Sequence, residues 1–176
     1  MTLKDTYDRP VSNLRVSLTP KCNLSCIYCH REGEKAPQGP LSAAEIAEVL
    51  RVAAGFGIRS VKFTGGEPTL RPDLIEIIKS VPAGMESSIT TNGILLAQHA
   101  VELRANGLRR VTVSLDTLDP VIFRHMSGGF DGLTEVLAGI GAAAGAGLAP
   151  VKVNTVVQRG INDSSVLQLL EYFRGT

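Results

Sequence analysis

The sequence lacks the features that mark several large classes of protein. It has no tryptophan, few other aromatic residues, and no apolar run of about eighteen residues that could span a bilayer. Its 18 lysines and arginines are balanced by 17 aspartates and glutamates, so no basic surface indicates a nucleic acid or an anionic membrane as partner. The first ten residues contain no apolar stretch of the kind found in secretory signals. We therefore expect a cytoplasmic protein with no membrane partner and no nucleic-acid partner.

Cysteine is also scarce, and the few cysteines are placed close together. There are three, an odd number that argues against a disulfide framework. They stand at Cys22, Cys26 and Cys29 in the spacing C-x3-C-x2-C. Clustered thiols in a reducing compartment favour a metal site. The length of 176 residues is that of one domain, so we expect residues 1–176 to form a single unit.

Stretches typical of strands and helices alternate along the chain. Predicted strands cover 13–19, 60–64, 86–92, 110–116 and 150–158, and predicted helices cover 42–56, 71–80, 95–105, 132–146 and 164–174. Ser42 followed by Glu45 fits a capping box, and Gly57, Gly107 and Gly147 stand where left-handed glycines end helices. This alternation predicts an α/β fold of about five parallel strands, joined by right-handed crossovers and covered by outer helices.

Most of the predicted strands alternate apolar with polar residues, unlike strands that helices cover on both faces. In the second strand, Val61 and Phe63 alternate with Lys62 and Thr64, and the first, fourth and fifth strands follow the same rule. If helices cover the apolar face, the polar face lines something other than packed core. We therefore expect a partial (β/α) barrel with a polar, ligand-holding interior. A sheet with one solvated face is the alternative.

The first connection between a strand and a helix is unusually long and carries all three cysteines. It runs from about residue 20 to residue 40, whereas such connections usually have about two to six residues. A cubane [4Fe–4S] cluster bound by three thiolates keeps one iron open for a ligand that is not protein. A structural zinc ion needs a fourth protein ligand, and His30 directly follows Cys29, where it is poorly placed to share the same metal. The spacing favours an iron–sulfur cluster, with zinc or unligated thiols as alternatives.

The cysteine spacing at the end of the first strand, with Tyr28 before the last cysteine, resembles the radical S-adenosylmethionine (SAM) superfamily. The sequence GGEP at 65–68 resembles that superfamily's second motif, although two glycines after a strand would by themselves indicate only a tight turn. The resemblance implies a [4Fe–4S] cluster at the three cysteines, with SAM on its open iron. It further implies reductive cleavage of SAM to a 5′-deoxyadenosyl radical that abstracts hydrogen from the substrate.

Further stretches narrow the resemblance, and they extend over essentially the whole chain. They read LRVSLTPKCNLSCIYCH, KFTGGEPTLR, TTNGILL, LRRVTVSLDTLD and VKVNTVVQRGIND. They are similar to the molybdenum cofactor biosynthesis protein A family, the GTP 3′,8-cyclases. This resemblance implies that GTP is the substrate and that an electron donor is needed. It implies contacts to GTP at Arg15, Lys62, Thr90 and Lys152, and contacts to SAM at Tyr28, Gly66 and Ser114.

The strand pattern agrees with several of these positions. Arg15, Lys62, Ser114 and Lys152 are predicted on the polar side of their strands, and cationic side chains suit a triphosphate. For each cation the alternative is a solvated or snorkelling strand residue. Asp116 also faces the predicted interior, but the resemblance gives it no role.

The chain also departs from that family. It lacks the expected sixth strand and the region whose three cysteines bind a second [4Fe–4S] cluster, so the fifth strand is expected to leave an open sheet edge. We therefore expect a fragment whose cyclase activity is impaired, and whether it forms a homodimer stays open. A different radical SAM enzyme, of the peptide-maturing or activating type, and a non-catalytic metal-binding scaffold are the competing hypotheses.

Overall fold

The computed structural model describes residues 3–30 and 39–174, so residues 31–38 of the predicted long connection lie outside the described residues. Within the described ranges, five strands pair in parallel and in chain order to form one sheet. These strands are β1 (Asn13–Ser17), β2 (Ser60–Thr64), β3 (Glu86–Thr91), β4 (Arg110–Ser114) and β5 (Val151–Asn154). Because every crossover connection leads to the next strand in the same direction along the sheet, the connecting helices lie on the same face of the sheet. The predicted α/β fold of about five parallel strands is confirmed.

The helices lie close to their predicted positions, with one addition. They are α1 (Ala43–Gly55), α2 (Leu74–Lys79), α3 (Leu96–Ala105), α4 (Pro120–Met126), α5 (Leu133–Gly145) and α6 (Ser165–Tyr172). The capping box of α1 is confirmed, because Ser42 and Glu45 each accept a backbone hydrogen bond from the other. The helix-ending glycines Gly57, Gly107 and Gly147 have φ values of +88°, +108° and +77°, as predicted.

The helix α4 was not predicted from the sequence, although its start carries a clear signal. Asp119 caps it by accepting hydrogen bonds from the backbone N–H groups of Val121 and Ile122, at 2.8 and 3.1 Å. Pro120 occupies the first helical position, where its missing N–H costs nothing. A helix of 7 residues is too short to establish a helical periodicity in the sequence.

The strand β5 is shorter than predicted, ending at Asn154 instead of 158. The Thr155 hydroxyl donates to the Leu115 carbonyl at 2.8 Å, and the Val156 N–H donates to the Asp116 carboxylate at 2.8 Å. These side-chain contacts bind the chain to the end of β4 and replace further ladder hydrogen bonds. Residues 155–158 therefore lie at the carboxyl edge of the sheet.

The predicted alternation separates two faces of the sheet. Val61, Phe63, Ile89, Val111 and Val113 are at most 1% exposed and pack in the core between the sheet and the helices. The helices contribute Ile46, Leu50, Ile77, Leu103 and Val136 to the same core. The polar residues between the buried strand residues lie on the opposite face. None of the helices in the described ranges is both long enough and apolar enough to cross a membrane.

The helices α3 and α5 approach closely at Gly139. A Cβ atom at this position would lie 2.5 Å from the Gly93 carbonyl oxygen and 3.1 Å from the Leu96 Cβ. Gly141, in the same helix, has open space at the corresponding position. The two glycines therefore form a matched pair for testing this contact.

We expect Gly139→Ala to lower the free energy of unfolding by about 1 to 3 kcal/mol, because the added methyl group overpacks the contact with the Gly93 loop. Gly141→Ala should instead raise it by up to about 1 kcal/mol, since alanine has the higher helix propensity. Urea unfolding of both variants measures the difference. Equal changes in the two variants would contradict the close approach at Gly139.

Candidate functional site

The cysteines lie in a segment that follows β1, which we call the cysteine loop (residues 19–30). Together with Gly65 and Gly66, this loop lines a cleft of about 880 Å³ at the carboxyl edge of the sheet. Cys22, Tyr28 and Cys29 contribute to its wall. In parallel α/β folds, ligands bind at this edge. The described structure therefore places the predicted cysteine site where the fold provides a binding cleft.

The glycines after β2 fix the start of the cysteine loop. The Gly66 N–H donates to the Thr19 carbonyl at 2.7 Å, and the Glu67 N–H donates to the Lys21 carbonyl at 2.8 Å. A Cβ atom on Gly66 would overlap the Lys21 carbonyl oxygen, so only glycine permits this backbone contact. The GGEP segment thus continues the pairing of β1 with β2 into the loop.

Glu67 is fully buried and joins the GGEP segment to the end of β3. Its Oε1 atom accepts hydrogen bonds from the Thr69 N–H and hydroxyl, at 3.0 and 2.6 Å, and from the Thr91 hydroxyl at 2.7 Å. Its Oε2 atom accepts from the Asn92 N–H at 2.7 Å. The Asn92 amide in turn donates to the Asn23 side chain at 2.7 Å. A buried carboxylate thereby connects two strand ends with the cysteine loop.

The carboxyl end of α4 supports the middle of the cysteine loop. The Ser25 N–H donates to the Ser127 carbonyl at 3.2 Å, and the Ile27 N–H donates to the Met126 carbonyl at 3.1 Å. Carbonyl groups at the end of a helix have no partner within the helix, so the loop satisfies groups that would otherwise need water. Gly128 has φ +79°, and a side chain there would collide with the Ser25 carbonyl.

Arg71 connects the two ends of the long connection that contains the cysteine loop. Its guanidinium donates to the Leu18 carbonyl at 2.6 Å and to the Leu41 carbonyl at 2.5 Å. The same group forms a bidentate pair with Asp73 at 2.6 and 2.9 Å, and the Arg71 side chain is 7% exposed. The carboxylate fixes the plane of the guanidinium, which leaves the other donors directed at the two carbonyls.

Tyr28 is the side chain through which the cysteine loop reaches β4. Its hydroxyl donates to Asp116 Oδ2 at 2.5 Å. Burial raises the pKa of the Tyr28 phenol, and the neighbouring Asp116 carboxylate raises it further, so the proton stays on the tyrosine. Burial also raises the pKa of Asp116, which the hydrogen bonds from Tyr28 and Val156 partly offset. Tyr28 is therefore the donor and Asp116 the acceptor.

The three thiols are close enough to influence one another, and none forms a disulfide. Burial raises the pKa of Cys26 to about 11, with further contributions from Cys22, Asp116 and Cys29. Burial likewise raises the pKa of Cys22. A thiol protonated at neutral pH is a poor ligand, so a bound cation would be needed to hold these groups as thiolates.

The number of thiols suits a cubane cluster better than a single structural zinc ion. Within the described ranges, no three histidine, cysteine, aspartate or glutamate side chains are grouped to hold one metal ion. A cubane cluster can be bound by three thiolates, each on a different iron, with the fourth iron left open. A structural zinc ion takes four protein ligands, so the donor set of three thiols fits the cluster.

A row of cations crosses the polar face of the sheet below the cleft. Strand register aligns Arg15 with Lys62, Lys62 with Ser88, and Ser88 with Arg110. Burial lowers the pKa of Lys62, and the positive charges of Lys152, Arg15 and Arg110 lower it further. Arg110 is paired with Glu86 at 2.6 Å, whereas the positive charges of Arg15 and Lys152 beside Lys62 favour an anionic ligand between them.

Comparison with known families agrees with this site. Residues 16–173 match the family described as the Radical SAM superfamily. The chain belongs to the radical SAM superfamily. The predicted resemblance is thereby confirmed at the level of the superfamily, and the cysteine loop is the segment that carries its first motif.

Curated relatives of this radical SAM chain are similar over nearly all of its residues. A protein of Archaeoglobus fulgidus named probable GTP 3′,8-cyclase is 51% identical over 97% of this chain and 57% of its own length. One of Methanocella arvoryzae with the same name is 46% identical, over 98% of this chain and 56% of its own length. A GTP 3′,8-cyclase of Xanthomonas axonopodis is 45% identical, over 99% of this chain and 55% of its own length. The chain thus spans little more than half the length of these relatives.

Solved structures show the same radical SAM fold. Streptococcus suis SuiB bound to S-adenosylmethionine superposes with a TM-score of 0.77 at 22% identity, over 91% of this chain and 37% of SuiB. The protein anSMEcpe with bound AdoMet gives a TM-score of 0.74 at 20% identity, over 92% of this chain and 48% of its own. These matches confirm the predicted partial barrel.

The structure brings the predicted site residues to two adjoining places. The cleft is lined by Cys22, Cys29, Tyr28 and Gly66, with Cys26 close to the other two thiols. The polar face of the sheet carries Arg15, Lys62, Thr90, Ser114 and Lys152. Their roles toward cofactor and substrate stay predictions.

Sequence reasoning did not single out Arg71, Arg110 and Gly128, and it placed Asp116 on the interior face without a role. Strand alternation in RVTVS could have placed Arg110 beside the other cations. The Arg71 and Asp116 contacts join residues 53 and 88 positions apart, and no local pattern indicates them.

We expect Arg71→Ala to lower the free energy of unfolding by about 2 to 4 kcal/mol, because two carbonyl groups and Asp73 lose a charged donor. Deuterium exchange within residues 19–30 should also become faster. The matched control is Arg51→Ala, which removes a bidentate pair with Glu48 whose side chains are 70% and 60% exposed, and it should cost no more than about 1 kcal/mol. Equal losses in both variants would contradict a role for Arg71 in fixing the loop.

Proposed function

We propose that residues 1–176 form the radical SAM core domain of a GTP 3′,8-cyclase of molybdenum cofactor biosynthesis, a lyase-type enzyme. It would convert GTP to (8S)-3′,8-cyclo-7,8-dihydroguanosine 5′-triphosphate. The names of relatives with up to 51% identity support this assignment. The observation that carries it is the cationic row on the polar face. A triphosphate needs several positive charges close together, and this row provides them.

In this proposal the three cysteines hold a [4Fe–4S] cluster, and Tyr28, Gly66 and Ser114 contact SAM. When bound, the cluster and SAM supply the 5′-deoxyadenosyl radical that abstracts the 3′ hydrogen of the GTP ribose. The chain's own residues would determine where SAM and the substrate lie relative to each other. Gly66 has no side chain between its backbone and the loop, and Ser114 ends β4 below the cleft. An external electron donor is required by this chemistry.

The polar face would bind GTP through side chains of different geometry. Arg15 offers forked donors that match two phosphate oxygens, whereas Lys62 and Lys152 act as compact charges. Thr90 adds a neutral hydroxyl next to Thr112 in the strand register. Because the strands fix the spacing of these side chains, the substrate's phosphates can be held while its ribose and guanine extend toward the cleft.

The second cluster of the full-length family would need ligands beyond these residues. The chain has three cysteines, and all three lie in the cysteine loop. We propose that this chain supplies the SAM-cleaving part of the enzyme and that cyclisation of GTP by the chain alone is strongly impaired. Cleavage of SAM uncoupled from cyclisation should persist.

We expect anaerobic reconstitution to load about four irons and four sulfides per chain, with formation of 5′-deoxyadenosine when the cluster is reduced. Replacing any one of the three cysteines with serine should abolish both results, because each thiolate is needed to bind its own iron. Iron and sulfide assays with product chromatography measure them. A single bound zinc ion without SAM cleavage would support the non-catalytic scaffold instead.

We expect Lys62→Ala and Lys152→Ala each to weaken GTP binding by about tenfold, corresponding to about 1.4 kcal/mol, since each removes one charge from the triphosphate site. The matched control is Lys79→Ala, an exposed lysine at the end of α2, which should bind GTP normally. Calorimetry on reconstituted protein measures the affinities, and SAM cleavage shows that the core is intact. Unchanged GTP binding in both variants would favour a different radical SAM enzyme.

A further inference from the structure

Asp116 lies where the cysteine loop, the end of β4 and the segment after β5 meet. It is 8% exposed, and both of its carboxylate oxygens accept hydrogen bonds. Oδ2 accepts from the Tyr28 hydroxyl at 2.5 Å, and Oδ1 accepts from the Val156 N–H at 2.8 Å. The two partners approach opposite oxygens, so the plane of the carboxylate is fixed.

The backbone of Asp116 is fixed as well, by a fully buried asparagine. Asn162 Nδ2 donates to the Asp116 carbonyl at 2.8 Å and to the Val156 carbonyl at 2.9 Å. Its Oδ1 atom accepts from the Gln158 N–H at 2.8 Å. Apart from the Tyr28 hydroxyl, these polar partners of Asp116 belong to the segment after β5, so Asp116 is held by contacts that do not involve the cysteine loop.

Tyr28 stands between Cys26 and Cys29 in the chain, directly before the last cysteine. Among the described residues, the Ile27 N–H donates to the Met126 carbonyl at the end of α4, and the Cys29 N–H donates to the Cys26 carbonyl within the loop. The bond to Asp116 therefore ties the last part of the loop to the sheet.

We propose that Asp116 is a positioning residue that acts through Tyr28, fixing its ring and the segment from Cys26 to Cys29 at the mouth of the cleft. The part of this inference that concerns SAM affinity rests on the proposed function, in which Tyr28 contacts SAM. A carboxylate suits the task because a charged acceptor forms a shorter and stronger hydrogen bond than an amide.

The first experiment tests the hydrogen bond in the chain without cluster or cofactor. The chain has three tyrosines, so labelling the tyrosine ring carbon that bears the hydroxyl with ¹³C gives three resonances. Tyr28→Phe removes and thereby assigns one of them. Asp116→Asn should shift that resonance alone, because Tyr28 donates to the carboxylate whereas Tyr7 and Tyr172 are 78% and 53% exposed.

The matched control for the first experiment is Asp163→Asn. Asp163 lies in the same segment after β5 and accepts a hydrogen bond from the Gly160 N–H at 3.2 Å, without contact to Tyr28. This variant should leave all three resonances in place. An unmoved Tyr28 resonance in Asp116→Asn, or an equal shift in Asp163→Asn, would overturn the inference.

The second experiment tests the consequence in the reconstituted chain by a double-mutant cycle on SAM affinity. Tyr28→Phe and Asp116→Asn should each weaken SAM binding by about tenfold. The double variant should lose no more SAM affinity than the single variant that binds SAM less tightly. The electron paramagnetic resonance spectrum of the reduced cluster should change on adding SAM in the wild-type chain and less in each variant. Losses that multiply in the double variant would overturn the inference.

The outcomes separate the inference from the proposed function. A wild-type chain that binds no SAM, while its Tyr28 resonance still moves in Asp116→Asn, would overturn the proposed function and leave the positioning of Tyr28 supported. Should Asp116→Asn fail to fold, Tyr28→Phe decides alone, because it removes one hydroxyl and leaves the Asp116 bond to Val156 intact. Unchanged SAM affinity in that variant would overturn the inference.

Discussion

The close backbone contact between the GGEP segment and the start of the cysteine loop is the constraint on which the rest of the site depends. A side chain on Gly66 would overlap the Lys21 carbonyl, so this contact exists only because that position is glycine. It continues the β1–β2 pairing beyond the strands and turns the loop over the carboxyl edge of the sheet. The later contacts, from α4, Asp116 and Arg71, all act on a loop that the glycine has already directed there.

Local sequence pattern was sufficient to predict the strands, most of the helices and the position of the cysteine site. Alternation of residues such as Val61, Lys62 and Phe63 specifies which face is core, because side chains in a strand point to opposite faces. The cysteine spacing is equally local. By contrast, α4 was missed because its 7 residues give no periodicity, although Asp119 and Pro120 mark its start. Long-range contacts of single polar residues leave no pattern, which is why Asp116 was left without a role.

The polar interior of the sheet and the mouth of the cleft are built in different ways. Cations on the polar face are spaced by the strand ladder, because the main-chain pairing of neighbouring strands sets the distance from one side chain to the next. The cysteine loop has no ladder beyond its first residues. Side chains of distant elements hold it instead. Asn92 bonds the Asn23 side chain, Asp116 bonds Tyr28, and Arg71 bonds the Leu18 carbonyl just before the loop.

This difference has an energetic consequence for the site. Groups that share one hydrogen-bonded segment are coupled, because losing one contact frees the segment and weakens the others. The cations are coupled in a different way, through their charges, since Lys152, Arg15 and Arg110 lower the pKa of Lys62. Loop contacts should therefore behave as one cooperative unit, and Glu67 extends that unit to the end of β3. The cations lie outside it. Replacing a cation of the polar face should therefore leave the hydrogen bonds of the cysteine loop in place, whereas replacing one loop contact should weaken the other loop contacts.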